Sequence, residues 1–172
     1  ETGMGGAGKD DLQMHQTLLA EIIREAAEPH SQRGVTIETK ISDGHKGGID
    51  GPYIIRRPEI IHGLRNMIQN AVDFATSKVW VESSWTKESI TITISDDGYG
   101  YPPNLLGRLG DPFLGAKIGK ENRQGYEGMG LGLFIAKTLL ERTGAKISFS
   151  NGDRNQTLAH SKLEASGAIV EI

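Results

Sequence analysis

Asn66 and Asn70 stand four residues apart in the run Asn66-Met67-Ile68-Gln69-Asn70-Ala71. On a helix this spacing brings both amides to one face. An amide oxygen is a neutral hard ligand suited to Mg²⁺, which keeps several waters and takes phosphate oxygens as further ligands. Two solvated polar residues on an exposed face are the plainer alternative. Asp96-Asp97-Gly98-Tyr99-Gly100 follows an alternating segment that ends at Ser95. A carboxylate at a strand end, with glycines after it, lets a flat ligand approach the backbone. Ionised, it only accepts hydrogen bonds, so it suits the exocyclic amino group of adenine and rejects the carbonyl of guanine. An ordinary Asp-Gly turn is the alternative there.

Two further segments lie downstream. In Asp111-Pro112-Phe113 the ring of Phe113 is expected to anchor the base of a mobile lid, against the alternative of an ordinary buried aromatic in a turn. Gly128-Met129-Gly130-Leu131-Gly132-Leu133 opens a helical pattern. Closely spaced glycines let backbone N–H groups reach a phosphate, and a helix N-terminus adds partial positive charge. A dinucleotide-binding fingerprint would need glycine at position 133 and a strand directly before the loop, and neither is present. A Walker A loop fails as well, because Ala116 stands where the lysine after Gly115 is required. Between these two segments, Lys117, Lys120 and Arg123 could meet a triphosphate under a closed lid, or could simply belong to a solvated charged loop.

These residues need elements to hold them. Leu12, Leu18, Leu19, Ile22, Ile23 and Ala26 recur at helical spacing after Asp10 and Asp11, which predicts a helix ended by Pro29. Val35 to Ile41 alternates as a half-buried strand, and Ser42 to Pro52 is a glycine-rich loop. Tyr53 to Arg56 reads as a short strand. Pro58 suits the first position of a helix to about Thr76, with Ile61, Leu64, Ile68, Ala71 and Phe74 or Ala75 as its apolar stripe. Val79 to Trp85 and Ser89 to Ser95 form a hairpin across Thr86-Lys87-Glu88, and Trp80 and Trp85 pack on the sheet. Asp96 to Gly128 is a long segment of little periodicity, as functional loops are. A helix from Leu131 to Thr143 ends at Gly144, and Lys146 to Ser150 and Ala168 to Ile172 are the last strands. The predicted class is α+β: a two-layer α/β sandwich with helices on one face of a mixed, mostly antiparallel sheet.

Bulk properties narrow the function. At 172 residues, 37% hydrophobic and 24% charged, the chain suits one folded domain. Residues 1–9, with four glycines among the first eight, read as a cloning remnant or flexible lead-in, leaving 10–172 as the domain. A formal net charge of −3 offers no basic excess for nucleic acid. With no cysteine, thiol redox chemistry, disulfides and thiolate zinc sites are excluded. No apolar run approaches a membrane span.

Taken in order, the Asn pair, Asp-x-Gly-x-Gly, the Phe segment and Gly-x-Gly-x-Gly resemble the GHKL nucleotide-binding (Bergerat) fold of histidine kinases, gyrase-type topoisomerases, Hsp90 chaperones and MutL repair proteins. The resemblance runs over nearly the whole chain from Asp10. It implies Mg²⁺ on Asn70, adenine on Asp96, and a base pocket lined by Gly98 and Gly100 with Phe74 beside it. It also implies phosphates near Gly128, Gly130, Leu131 and Gly132. In the hydrolysing branches the position four before the metal-binding Asn is typically Glu, a base for water. Asn66 takes no proton at neutral pH, so this catalytic position speaks for the kinase branch. Three residues after the metal-binding Asn, many histidine kinases carry a lysine that reaches the phosphates, whereas this chain carries Asp73.

The runs Pro58 to Asn66, Asn70 to Ala75, Gly110 to Phe113 and Gly125 to Phe134 resemble the RegB/PrrB/ActS group of redox-responsive sensor kinases, in which Asp73 is the usual residue. That likeness implies a parent protein anchored in the inner membrane and a RegA/PrrA-like response regulator as partner. Five histidines occur, at 15, 30, 45, 62 and 160, none in the sequence context of a phosphoacceptor helix. The phosphorylated histidine is therefore expected on a separate dimerisation domain, with this chain supplying ATP binding and γ-phosphoryl donation. A hydrolysing ATPase of the same fold is one alternative, and a non-catalytic nucleotide- or partner-binding module is the other. Steady turnover by the isolated chain would mark the first, and absence of binding to any nucleotide would point to a degenerate module or to a site completed only by a further segment.

Overall fold

The structure is a computed structural model that describes residues 16–43, 51–102, 106–110, 129–152 and 168–172. A five-stranded sheet is formed by β2 (Thr36–Asp43), β4 (Lys78–Trp85), β5 (Ile90–Asp96), β6 (Ser148–Asn151) and β7 (Ala168–Glu171), in the order β2-β4-β5-β7-β6. Among the described strands, β2 and β4 run parallel and the other pairs of this sheet are antiparallel. A separate antiparallel ribbon joins β1 (Gln16–Leu18) to β3 (Tyr53–Ile55). Three helices, α1 (Leu19–Ala27), α2 (Pro58–Phe74) and α3 (Met129–Glu141), share one apolar core with the sheet. The mixed, mostly antiparallel two-layer sandwich read from the sequence is the architecture observed.

The first element differs from the predicted helix. Residues 16–18 are extended and pair with β3, and the helix starts only at Leu19, whose N–H donates to the Pro52 carbonyl at 2.9 Å. Residues before Gln16 lie outside the described chain. Gln16-Thr17-Leu18 carries too little apolar pattern to fix a period, and here main-chain pairing with a distant strand decides it. From Leu19 onward the expected stripe is buried: Leu19, Ile22, Ile23 and Ala26 all lie in the core.

α2 is the element that presents the asparagines. Pro58 occupies its first turn, and the helix stops where Ala75 becomes extended. It buries Ile61, Leu64, Met67, Ile68, Ala71 and Val72. Gly63 lets α3 approach: a Cβ there would lie 2.5 Å from Leu140 Cγ. α3 ends in a Schellman motif, with Gly144 at φ 89, its N–H on the Glu141 carbonyl and the Ala145 N–H on that of Leu140.

The pleat of β5 fixes the candidate carboxylate. Successive residues of a strand point to opposite faces, so Ile92, Ile94 and Asp96 share one face, and Ile92 and Ile94 are buried in the core. Asp96 pairs with Val79, and Ile94 with Val81, so the carboxylate continues an apolar row into the space beneath the helices. No described helix is long and apolar enough to cross a membrane.

Candidate nucleotide-binding site

Asp96 is 1% exposed, and its Oδ1 accepts the Gly98 N–H at 2.8 Å. A buried carboxylate is retained only when its surroundings meet its hydrogen-bonding needs. Gly98 is itself buried against the end of α2, where an added Cβ would overlap the Phe74 carbonyl oxygen and lie 3.0 Å from Asp96 Oδ1. Asp96, Gly98 and Phe74 thus meet at one point, where the last turn of α2 abuts the end of β5. The Phe74 side chain is half-buried against the core.

Asp97 faces the other way and does a different job. Its Oδ1 accepts the N–H groups of Thr76 (2.9 Å), Ser77 (3.0 Å) and Lys78 (3.1 Å), and the Ser77 hydroxyl donates to Oδ2 at 2.6 Å. Burial pushes this carboxyl up, but the Ser77 hydroxyl and the N–H groups of Ser77, Lys78 and Thr76 outweigh it and hold the pKa below the usual value. Asp97 therefore fastens the exit of α2 to the start of β4 and sets the Phe74 carbonyl against Gly98. Of the two adjacent aspartates, one is committed to the fold and the other is turned into the core.

After Gly98 the chain passes through Tyr99, 91% exposed, to Gly100, whose φ of 83 is a conformation that favours glycine. A Cβ on Gly100 would also sit 2.7 Å from Asn151 Oδ1. That oxygen accepts the Tyr101 N–H at 2.7 Å, and Asn151 Nδ2 donates to the Tyr101 carbonyl at 2.8 Å. The Tyr101 ring is buried, edge-on to Phe149 at 5.9 Å between centroids. Burial, followed by the charge of Asp96, pushes its hydroxyl pKa up.

Along α2, Asn66 and Asn70 occupy successive turns on the half-exposed side, opposite Met67, Ile68 and Ala71, and Phe74 follows one turn later. Asp73 lies on the same side and is paired with Arg33, 2.5 Å between Arg33 Nη2 and Asp73 Oδ1. Gly130, Leu131 and Gly132 lie inside the first turns of α3, which begins at Met129 rather than at the predicted Leu131. Leu131 is 60% exposed, and no described atom lies within 4 Å of a Cβ placed on Gly132. Glycine within a helix costs up to about 1 kcal/mol relative to alanine. No described contact explains its presence. The segment Asp111-Pro112-Phe113, with Lys117, Lys120, Arg123 and Gly128, lies outside the described residues. Sequence reasoning misses Arg33 and Asn151, which reach their partners from 40 and 50 residues away and carry no local motif.

Mg²⁺ and a nucleotide fit these residues in kind. Among the described residues no three His, Cys, Asp or Glu side chains are grouped to hold a metal. A single amide oxygen, with phosphate oxygens and water completing the shell, is a Mg²⁺ arrangement. An acceptor-only carboxylate beside a glycine with no room for a side chain suits the amino edge of adenine.

Fold and site define a class, and the comparisons with known proteins agree. Residues 56–169 match the family described as histidine kinase-, DNA gyrase B-, and HSP90-like ATPase, and the chain belongs to that family. It is 56% identical over 172 residues to the sensor histidine kinase RegB of Cereibacter sphaeroides, covering 98% of this chain and 37% of that protein. The chain thus spans little more than a third of the curated relative it matches. Among solved structures, the mycobacterial sensor histidine kinase MprB superposes with a TM-score of 0.65 at 18% identity, over 91% of this chain and 93% of the other. Full-length ShkA in complex with AMPPNP gives 0.62 at 20% identity, over 91% and 30%. These two likenesses show the fold, the GHKL sandwich predicted above.

Proposed function

We propose that residues 10–172 form the ATP-binding catalytic domain of a sensor histidine kinase, which presents the γ-phosphate of Mg·ATP to a histidine on a separate dimerisation domain. The observation that carries this reading is the buried Asp96 carboxylate, held by Gly98 at the end of α2. The 56% identity to a sensor histidine kinase supports it. When bound, Mg·ATP supplies the phosphoryl group, and reactions of this kind need positioning and charge neutralisation more than covalent help. Asp96, Gly98, Gly100 and Phe74 orient the base. Asn70 would hold the metal, and the Gly128, Gly130, Leu131 and Gly132 stretch would face the phosphates, with Lys117, Lys120 and Arg123 as covering cations. Asn66, one turn before Asn70, cannot take a proton from water, which favours transfer to a histidine over hydrolysis.

The likeness to RegB further suggests a RegA/PrrA-like response regulator downstream and a parent protein anchored in the inner membrane, with this part in the cytoplasm. The test is to mix the chain with a histidine-bearing dimerisation fragment and γ-labelled ATP. The expected result is acid-labile, base-stable label on the partner fragment, little turnover by the chain alone, and loss of labelling in Asn70→Ala. Sustained hydrolysis by the chain alone would point instead to the hydrolysing branch.

A further inference from the structure

Asp73 follows Asn70 by three residues, a spacing that leaves Cβ atoms about 5–6 Å apart on one helix face. An ionised carboxylate at that place opposes any polyanion bound beside Asn70. The structure sets a charge against it: Arg33, in the turn before β2, donates from Nη2 to Asp73 Oδ1 at 2.5 Å. Both side chains are open to solvent, at 42% and 38% exposure. Exposed ion pairs of this kind contribute little to stability, so holding the fold is a weak account of this one. His30, the other basic side chain of this turn, is buried, and burial followed by the charge of Arg33 pushes its pKa down. At neutral pH the turn therefore offers Asp73 one cation, and it is Arg33.

We propose that Arg33 is a positioning residue that neutralises Asp73, so that a Mg·triphosphate at the Asn70 face meets a neutral pair rather than a bare carboxylate. This rests on the reading of α2 as the metal and phosphate side of the site. Arg33 acts through Asp73 and on the charged end of the ligand alone, leaving the base pocket at Asp96 untouched.

Calorimetric titration of the whole chain with Mg·ATP and with adenosine, at low ionic strength, tests it. Arg33→Gln is expected to weaken Mg·ATP binding about three- to tenfold, since an uncovered charge a few ångströms from a polyanion acts through partly screened solvent. Adenosine affinity is expected to stay as in the parent. Adding Asp73→Asn to Arg33→Gln should return Mg·ATP affinity to within about twofold of the parent, because the charge that needed covering is gone. The proposal is overturned if Arg33→Gln binds Mg·ATP as the parent does, if both ligands weaken equally, or if the double variant does not recover. A parent that binds neither ligand overturns the nucleotide reading itself, a different failure from any of these.

Discussion

Asn151 holds both main-chain polar groups of Tyr101, fifty residues before it, through its amide oxygen at 2.7 Å and its amide nitrogen at 2.8 Å. The side chain acts as one more rung of the sheet, reaching from the end of β6 to the segment that leaves Gly100. Replacing it with alanine strands a partly buried N–H and C=O. Asn151→Ala is expected to lose about 1–3 kcal/mol of stability, read from urea unfolding. It is also expected to weaken adenosine binding, because the Gly98–Gly100 turn is no longer pinned at its far end. Unchanged stability and affinity would show the clamp to be idle.

Gly98 and Gly132 should respond oppositely to alanine. At Gly98 the new methyl meets the main-chain carbonyl of Phe74, which cannot rotate away. The expected loss is about 1–3 kcal/mol, with loss of adenine binding. At Gly132 no described atom opposes the methyl, and helix propensity predicts a gain of about 0.5–1 kcal/mol. Gly132→Ala should therefore melt higher yet bind Mg·ATP more weakly while adenosine affinity holds. Equal effects at the two positions in thermal unfolding and titration would refute the distinction.

Asp97 links stability to acid. Its folded-state pKa lies below the ordinary value, so the carboxylate favours the folded state. That contribution is fully present above the unfolded value, near pH 4, and is lost as pH falls through the lowered folded value. Asp97→Asn should cost about 1–2 kcal/mol at neutral pH, a figure reduced for its partial solvent exposure. It should also flatten the fall in stability below pH 4. Denaturant midpoints across pH 2.5 to 7, with parent and variant compared, check the sign.

Much of this was legible in the sequence where the cause is local. The Asp96 carboxylate and Gly98 are two residues apart, and the alternation of β5 already says which face Asp96 takes. The stripe of α2 names its buried side and, by exclusion, the side of Asn66 and Asn70. Pro58 and Gly144 mark helix ends through their own backbone preferences. What escaped is non-local. β1, Gln16-Thr17-Leu18, carries too little apolar pattern to tell a helix from a strand, and its pairing with Tyr53–Ile55 decides between them. The division of labour between Asp96 and Asp97 depends on Thr76, Ser77 and Lys78 arriving beside β5. Arg33 answers the charge of Asp73, and Asn151 closes on Tyr101, only once the chain has folded.

The most direct test of the central claim is calorimetric titration of the chain with ATP and GTP, with and without Mg²⁺, repeated on Asp96→Asn. An acceptor-only carboxylate at the base predicts tight, Mg²⁺-sensitive binding of ATP, little binding of GTP, and at least a roughly tenfold loss of ATP affinity when the carboxylate becomes an amide, as when a buried charged hydrogen bond is broken. Equal binding of GTP, or an Asp96→Asn variant that binds ATP as tightly as the parent, would contradict the account.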